Sequence, residues 1–173
     1  MRVQKKAALM MFLFVAAVMA AGCAGSNQAY TAPPENFSIQ DAAKIDLNSP
    51  ELGKLTKTRI DQISDVSFLN SGEGFEIQYR YLSTVITVKI VKFTSPEKAV
   101  QFWNAWTQTV EVSEKVAFEN GVSVVAFDRQ PYTVRAWKKG SWFTYVGVPL
   151  EVSNSRELRD QVKDYVNYRY SQL

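Results

Sequence analysis

Residues 75–90 read FEIQYRYLSTVITVKI. Phe75, Ile77, Tyr79 and Tyr81 alternate with Glu76, Gln78 and Arg80. A period of two sends each set to its own side of a strand. Ile86, Val88 and Ile90 then alternate with Thr87, Lys89 and Val91. The two runs predict an antiparallel pair with one apolar and one wet face. That pair decides the fold class, because an antiparallel sheet with an apolar face needs helices or a second sheet to cover it.

Working outward, residues 94–106 read TSPEKAVQFWNAW. Ser95 is placed as an N-cap, Pro96 as the first helical residue, and Glu97 at the positive end of the helix dipole. Ala99, Phe102, Trp103, Trp106 and Val110 recur at helical spacing and form its core-facing stripe. Asn120 and Gly121 in FENGVS (118–123) lie between two β-rich runs, and both tolerate positive φ. A two-residue hairpin turn there puts Val116, Phe118, Val125 and Phe127 on a common face. Tyr132–Trp137 and Trp142–Val148 form a further hairpin across KKGS. The last segment, residues 153–170, reads as a helix with Asn154 and Glu157 at capping-box spacing. Its docking face carries Leu158, Val162, Tyr165, Val166 and Arg169. Upstream, NSPEL (48–52) has the signature of a short helix start. The expected architecture is α+β: about seven short, mostly antiparallel strands, with two longer helices packed on one face.

The N-terminus follows a different logic. Arg2, Lys5 and Lys6 precede 15 consecutive apolar residues, Ala7–Ala21. A bilayer-spanning helix needs about 20 such residues. Fifteen is the length of a secretory h-region, and small residues follow it as a signal peptide requires. Ala20-Ala21-Gly22-Cys23 resembles the lipobox of bacterial lipoproteins. The resemblance covers residues 1–23 and has three parts: charge, apolar length and small-small-Cys. It implies cleavage between Gly22 and Cys23, diacylglycerol on the Cys23 sulfur, and attachment to a membrane through lipid. Leucine is commoner in that family where Ala20 stands. An aspartate after the cysteine commonly signals inner-membrane retention in Gram-negative members. Ala24 therefore implies the periplasmic face of the outer membrane where the cell has two membranes. Residues 24–40 are rich in Ser, Asn, Pro and Ala and read as a flexible tether. The expected organisation is a signal peptide over 1–22, lipidated cysteine and tether over 23–40, and one domain over 41–173.

Composition narrows function mainly by exclusion. The formal net charge of +3 rests on Arg2, Lys5 and Lys6, and the remaining lysines and arginines match the 17 acidic residues. Phosphate-backbone binding needs a basic excess on one face, so nucleic acid is not an expected partner. There is no histidine and one cysteine. That removes Ser-His and Cys-His nucleophilic pairs, the usual near-neutral base, intramolecular disulfides and Cys-rich zinc sites. Glu73 with Glu76, and Asp61 with Asp65, lie close in sequence, but nothing in the pattern drives their pKa values apart as acid/base pairs require. NSGEGF (70–75) has two glycines but no following helix to complete a phosphate cradle. No cofactor and no metal are implied.

One stretch carries a binding candidate: RAWKKGSWFTY, residues 135–145. A two-residue turn at Lys139-Gly140 sets Trp137 opposite Trp142, with Arg135 and Thr144 on the same face. A three-residue turn over 138–140 instead flips Trp142 into the core. In the first register, Trp137, Trp142 and Arg135 form an aromatic and basic contact near a hairpin tip, suited to glycan, protein or a bilayer interface. The sequence therefore points to a membrane-anchored envelope lipoprotein acting without catalysis as an accessory or binding domain, with an envelope protein or glycan as partner. The alternative is a carrier holding an apolar small molecule or lipid between sheet and helices.

Overall fold

The computed structural model describes residues 30–47, 55–64, 71–118 and 120–173. Seven strands form one antiparallel sheet: β1 (Thr56–Gln62), β2 (Gly72–Tyr81), β3 (Thr84–Phe93), β4 (Glu114–Ala117), β5 (Ser123–Arg129), β6 (Tyr132–Lys139) and β7 (Trp142–Pro149). Their spatial order is β1-β2-β3-β7-β6-β5-β4. Among the described residues the helices are α1 (Ile39–Ala42), α2 (Pro96–Gln108) and α3 (Ser155–Tyr170). After β3 the chain crosses through α2 to the far edge, then meanders back until β7 pairs with β3. The α+β class and the antiparallel sheet are those expected.

The founding hairpin is as its alternation demands. Phe75, Ile77 and Tyr79 pair directly with Ile90, Val88 and Ile86. Ser95 caps α2 by accepting from the Lys98 amide at 3.4 Å, and Ala99, Phe102 and Trp103 are buried.

The placement of the long helices differs from expectation. Leu158, Val162 and Val166 of α3 share a core with Ile77, Ile86, Val88, Trp137 and Val146. Ala99, Phe102 and Trp103 of α2 share another with Val91, Phe93, Val125, Val134 and Phe143. These two sets have opposite parity along β3, β6 and β7, so each long helix covers its own face of the sheet. The cause is in the central strands. Ile86, Val88 and Ile90 leave β3 on one side while Val91 and Phe93 leave it on the other, and a strand apolar on both faces needs cover on both. α1 lies on the α3 side.

Three local readings are corrected as well. The Phe118 amide bonds to the Val122 carbonyl at 2.8 Å, and Gly121, at φ 78°, bonds back to the Phe118 carbonyl. The β4–β5 loop is thus one residue longer than a two-residue turn. Val116 pairs with Val124, away from the face of Val125 and Phe127. Asn154 sits in the left-handed region at φ 62° with no side-chain capping bond. Residues 48–52, read as a helix start, lie outside the described residues.

Candidate functional site

The segment from Tyr30 to Leu47 decides what the α3 face of the sheet can do. Residues 30–40, expected to be tether, are docked. Tyr30, Ala32, Phe37 and Ile39 pack on the α3-side core. Polar bonds fix the segment along its length. Thr31 donates its amide to Asn167 Oδ1 at 2.7 Å and its hydroxyl to the Asn167 carbonyl at 2.8 Å. Glu35 accepts from the Ser141 amide at 3.0 Å and from the Ser141 hydroxyl. Lys92 Nζ donates to the carbonyls of Glu35 and Phe37 at 2.7 and 2.8 Å. Further on, the buried Tyr79 hydroxyl donates to the Ile45 carbonyl at 3.0 Å. The segment is a strap across the sheet. Composition hid it, because four spaced apolar residues among Ser, Asn and Pro are enough to dock an extended chain.

The strap covers the residues singled out for binding. The β6–β7 turn is Gly140-Ser141, with Gly140 at φ 56° and Lys139 paired with Trp142. Neither anticipated register occurs. Trp137, Trp142 and Arg135 do share a face, but it is the covered one. Trp137 and Trp142 are each 1% exposed. Trp137 Nε1 donates to the Thr31 carbonyl at 2.7 Å, and its ring lies 5.6 Å from that of Tyr30. Lys92 Nζ stands 5.2 Å over the Trp142 ring. Arg135 bonds Glu114 at 2.7 Å and Asp160 at 3.3 Å, with its side chain 11% exposed. Arg159, also buried, joins through Asp160, Thr133 Oγ1 and the Val134 carbonyl. Burial raises the Asp160 pKa, but Arg159 and Arg135 outweigh it and hold the carboxyl below its usual range. These three residues therefore anchor α3 and the strap to the sheet and present no open contact surface. Gly22 and Cys23 lie outside the described residues.

Among the described residues, two clefts bear on function. One, of about 590 Å³, lies beside the start of α2 and is lined by Glu35, Ser71, Glu73, Lys92, Ser95 and Ser141 among others. The strap already engages Glu35, Lys92 and Ser141. The other, of about 270 Å³, lies on the α2 side beside the last turn of α2. Trp106, Phe127, Tyr132 and Tyr145 form its walls, with Lys89, Arg129 and Gln130 among its lining. Trp106 is held edge-on to Phe143 at 5.1 Å and lies 5.8 Å from Phe127. Tyr145 lies against the sheet over Gly147, where a Cβ would come within 2.8 Å of its ring. Burial pushes the Tyr145 phenol well above its ordinary range, so it stays protonated. Lys89 pairs with Glu76 at 3.0 Å and stands 5.7 Å over the Tyr145 ring. Gln78 Nε2 donates to the same Glu76 at 3.1 Å. Arg129, exposed at the turn into β6, has no ion pair among the described residues. Sequence reading did not single out this groove. Its one signal was Gly147, a lone glycine inside a strand, which marks a close approach of another group.

Among the described residues no three His, Cys, Asp or Glu side chains group as a metal site would, and no helix is long and apolar enough to cross a membrane.

An antiparallel seven-stranded sheet clothed by helices on both sides defines the class. No protein-family model matches the chain, and no curated protein matches it. Solved structures do. A GTP-binding regulator from Thermotoga maritima is 15% identical, with a TM-score of 0.59 over 83% of this chain and 96% of its own. The extracellular domain of PknH from Mycobacterium tuberculosis is 8% identical, with a TM-score of 0.52 over 79% of this chain and 98% of its own. At these identities the likeness is one of fold.

Proposed function

We infer that the protein is a lipid-anchored, non-enzymatic binding domain of a bacterial cell envelope. The observation that carries this reading is the order at residues 1–23: three cations, 15 apolar residues, then small-small-Cys. The docked strap adds to it. Six residues separate Cys23 from Tyr30, which allows a reach of only about 20 Å when fully extended. Cleaved and acylated at Cys23, the chain would hold its domain close to the bilayer surface. Two or three acyl chains on one residue make release negligible, since each buried methylene contributes about 0.8 kcal/mol. Ala24 favours the outer membrane in a cell that has two. A domain of the same fold that is named as extracellular supports a location outside the cytoplasm. A regulator of that fold supports a binding role. The carrier alternative is the weaker reading, because Trp137, Trp142 and Phe143, which such a cavity would need to expose, are each 1% exposed or less.

Mass spectrometry of the membrane fraction tests the anchor. The expected species begins at Cys23 and carries lipid. An unmodified Cys23 thiol, or a chain retaining Met1, refutes it.

A further inference from the structure

We propose that the groove between the end of α2 and strands β6 and β7 binds a pyranose ring carrying a carboxylate, as found in acidic polysaccharides of the cell surface. This deepens the binding role inferred above, and rests on it only for the ligand's setting.

Three features select the ligand. The walls are aromatic: half-buried Trp106, Tyr132 and Tyr145 offer flat apolar surface to the C–H face of a sugar, and buried Phe127 packs on Trp106. Polar side chains complete the lining, Lys89, Arg129 and Gln130, and Lys89 brings a small polar cluster to its edge. Glu76 holds both Lys89 and Gln78, which places a carboxylate, an ammonium and an amide side by side. Donors and acceptors adjacent in this way match the neighbouring hydroxyls of a sugar, each of which both donates and accepts. The charge is one-sided at the rim: Lys89 is balanced by Glu76, while Arg129 is exposed with no ion pair among the described residues. A guanidinium in that position is suited to a carboxylate, which it can grip with two parallel bonds. Size agrees. The groove of about 270 Å³ falls just below the range for drug-sized ligands, roughly 300 to 1,000 Å³, and so takes about one ring. Because it opens to solvent, a longer chain can continue past it.

Placement agrees too. Val134 and Tyr145 point to the α2 face, whereas Tyr30, the first residue of the strap, packs on Trp137 on the α3 face. The groove therefore faces away from the side on which the strap begins.

The test uses the full chain in mild detergent, with two acidic probes, digalacturonate and the disaccharide of N-acetylglucosamine and N-acetylmuramic acid. α-1,4-Galactobiose and N,N′-diacetylchitobiose are their neutral counterparts. Binding is read by quenching of tryptophan fluorescence and by NMR shifts of the Trp106, Tyr132 and Tyr145 side chains. At least one acidic probe should shift these resonances, and the responding probe distinguishes a uronic-acid polymer from the cell-wall glycan as the source. Its neutral counterpart should bind at least ten-fold more weakly. Arg129→Gln, at an exposed turn, should weaken the acidic probe about ten-fold, the loss of one charge-assisted contact, and leave the neutral sugar unchanged. No shift with either acidic probe at millimolar concentration overturns the proposal. So does equal binding of acidic and neutral sugars, or an acidic affinity indifferent to Arg129→Gln. Since no membrane enters the measurement, its outcome is independent of whether Cys23 carries lipid.

Discussion

Trp137→Ala should be among the most damaging substitutions in the chain, and Trp137→Phe should separate its two contributions. The indole is 1% exposed, and an aromatic side chain of this kind buries roughly 150 to 250 Å². At about 25 cal/mol per Å², replacing it with a methyl group removes about 3 kcal/mol or more of burial. The cavity left behind raises the loss, so truncation should cost about 3 to 5 kcal/mol. That is a large share of a typical domain stability of about 5 to 15 kcal/mol. The second contribution is the bond from Trp137 Nε1 to the Thr31 carbonyl at 2.7 Å. Phenylalanine keeps most of the ring and deletes the donor, for a cost of about 1 to 2 kcal/mol. Equilibrium urea unfolding of the chain from residue 24 onward, followed by far-UV circular dichroism, measures both. Amide exchange adds a local readout, because the Thr31 amide is itself bonded to Asn167. In Trp137→Phe, Thr31 should exchange faster while the paired amides of β3 and β7 stay protected. A loss below about 1 kcal/mol for Trp137→Ala, well short of the range for a buried tryptophan, would show that the indole is not core. Unchanged Thr31 exchange in Trp137→Phe would show that the indole bond does not hold the strap.

Two further outcomes follow from the same face. Gly140→Ala should destabilise by about 1 to 3 kcal/mol, because Gly140 sits at φ 56° and a Cβ there would land on the Glu35 carboxylate. Faster exchange of the Ser141 amide, which Glu35 accepts, is the accompanying sign that the strap has lifted. Asp160 has its pKa depressed in the fold, so its contribution is present above its unfolded pKa and is lost as pH falls through the folded value. Asp160→Asn should therefore cost about 1 to 2 kcal/mol at neutral pH, less than a fully buried pair because the side chain is 39% exposed. It should also flatten the acid limb of stability against pH, measured by urea midpoints from pH 7 to pH 2. An acid limb as steep as that of the wild type would refute the assignment.

Much of the sheet was legible because the alternation in residues 75–90 leaves only one sensible pairing: a one-residue slip would turn every apolar side chain outward. The α2 stripe was legible for the same reason, with Ser95 and Pro96 marking its start. What escaped has physical causes. β1 is polar except for Ile60, itself exposed on this edge strand, so no periodicity announced it. The β6–β7 register depends on which residue adopts positive φ, and Gly140 can serve several turn positions. Arg135 looked available because ion pairing is invisible in sequence. Its partners Glu114 and Asp160 lie 21 and 25 residues away. The groove on the α2 side escaped because Trp106, Tyr132 and Tyr145 come from three separate elements, and their partial exposure is a product of the fold rather than of any local pattern.

The strap ties these observations into one arrangement. An extended segment with no regular structure before α1 cannot hold itself in place, so its position is set by what it touches: Asn167 on α3, Trp137 on β6, Ser141 at the β6–β7 turn and Lys92 on β3. Those four residues span β3, the β6–β7 hairpin and α3, and the strap crosses them all on one face. If lipid is carried at Cys23, any pull from the membrane reaches the sheet through these bonds. The α3 face is then committed to attachment, which explains why its tryptophans are buried and its arginines paired. The α2 face carries none of that load. Its aromatic groove, with Arg129 at the rim free of ion pairs among the described residues, opens on the side away from the strap.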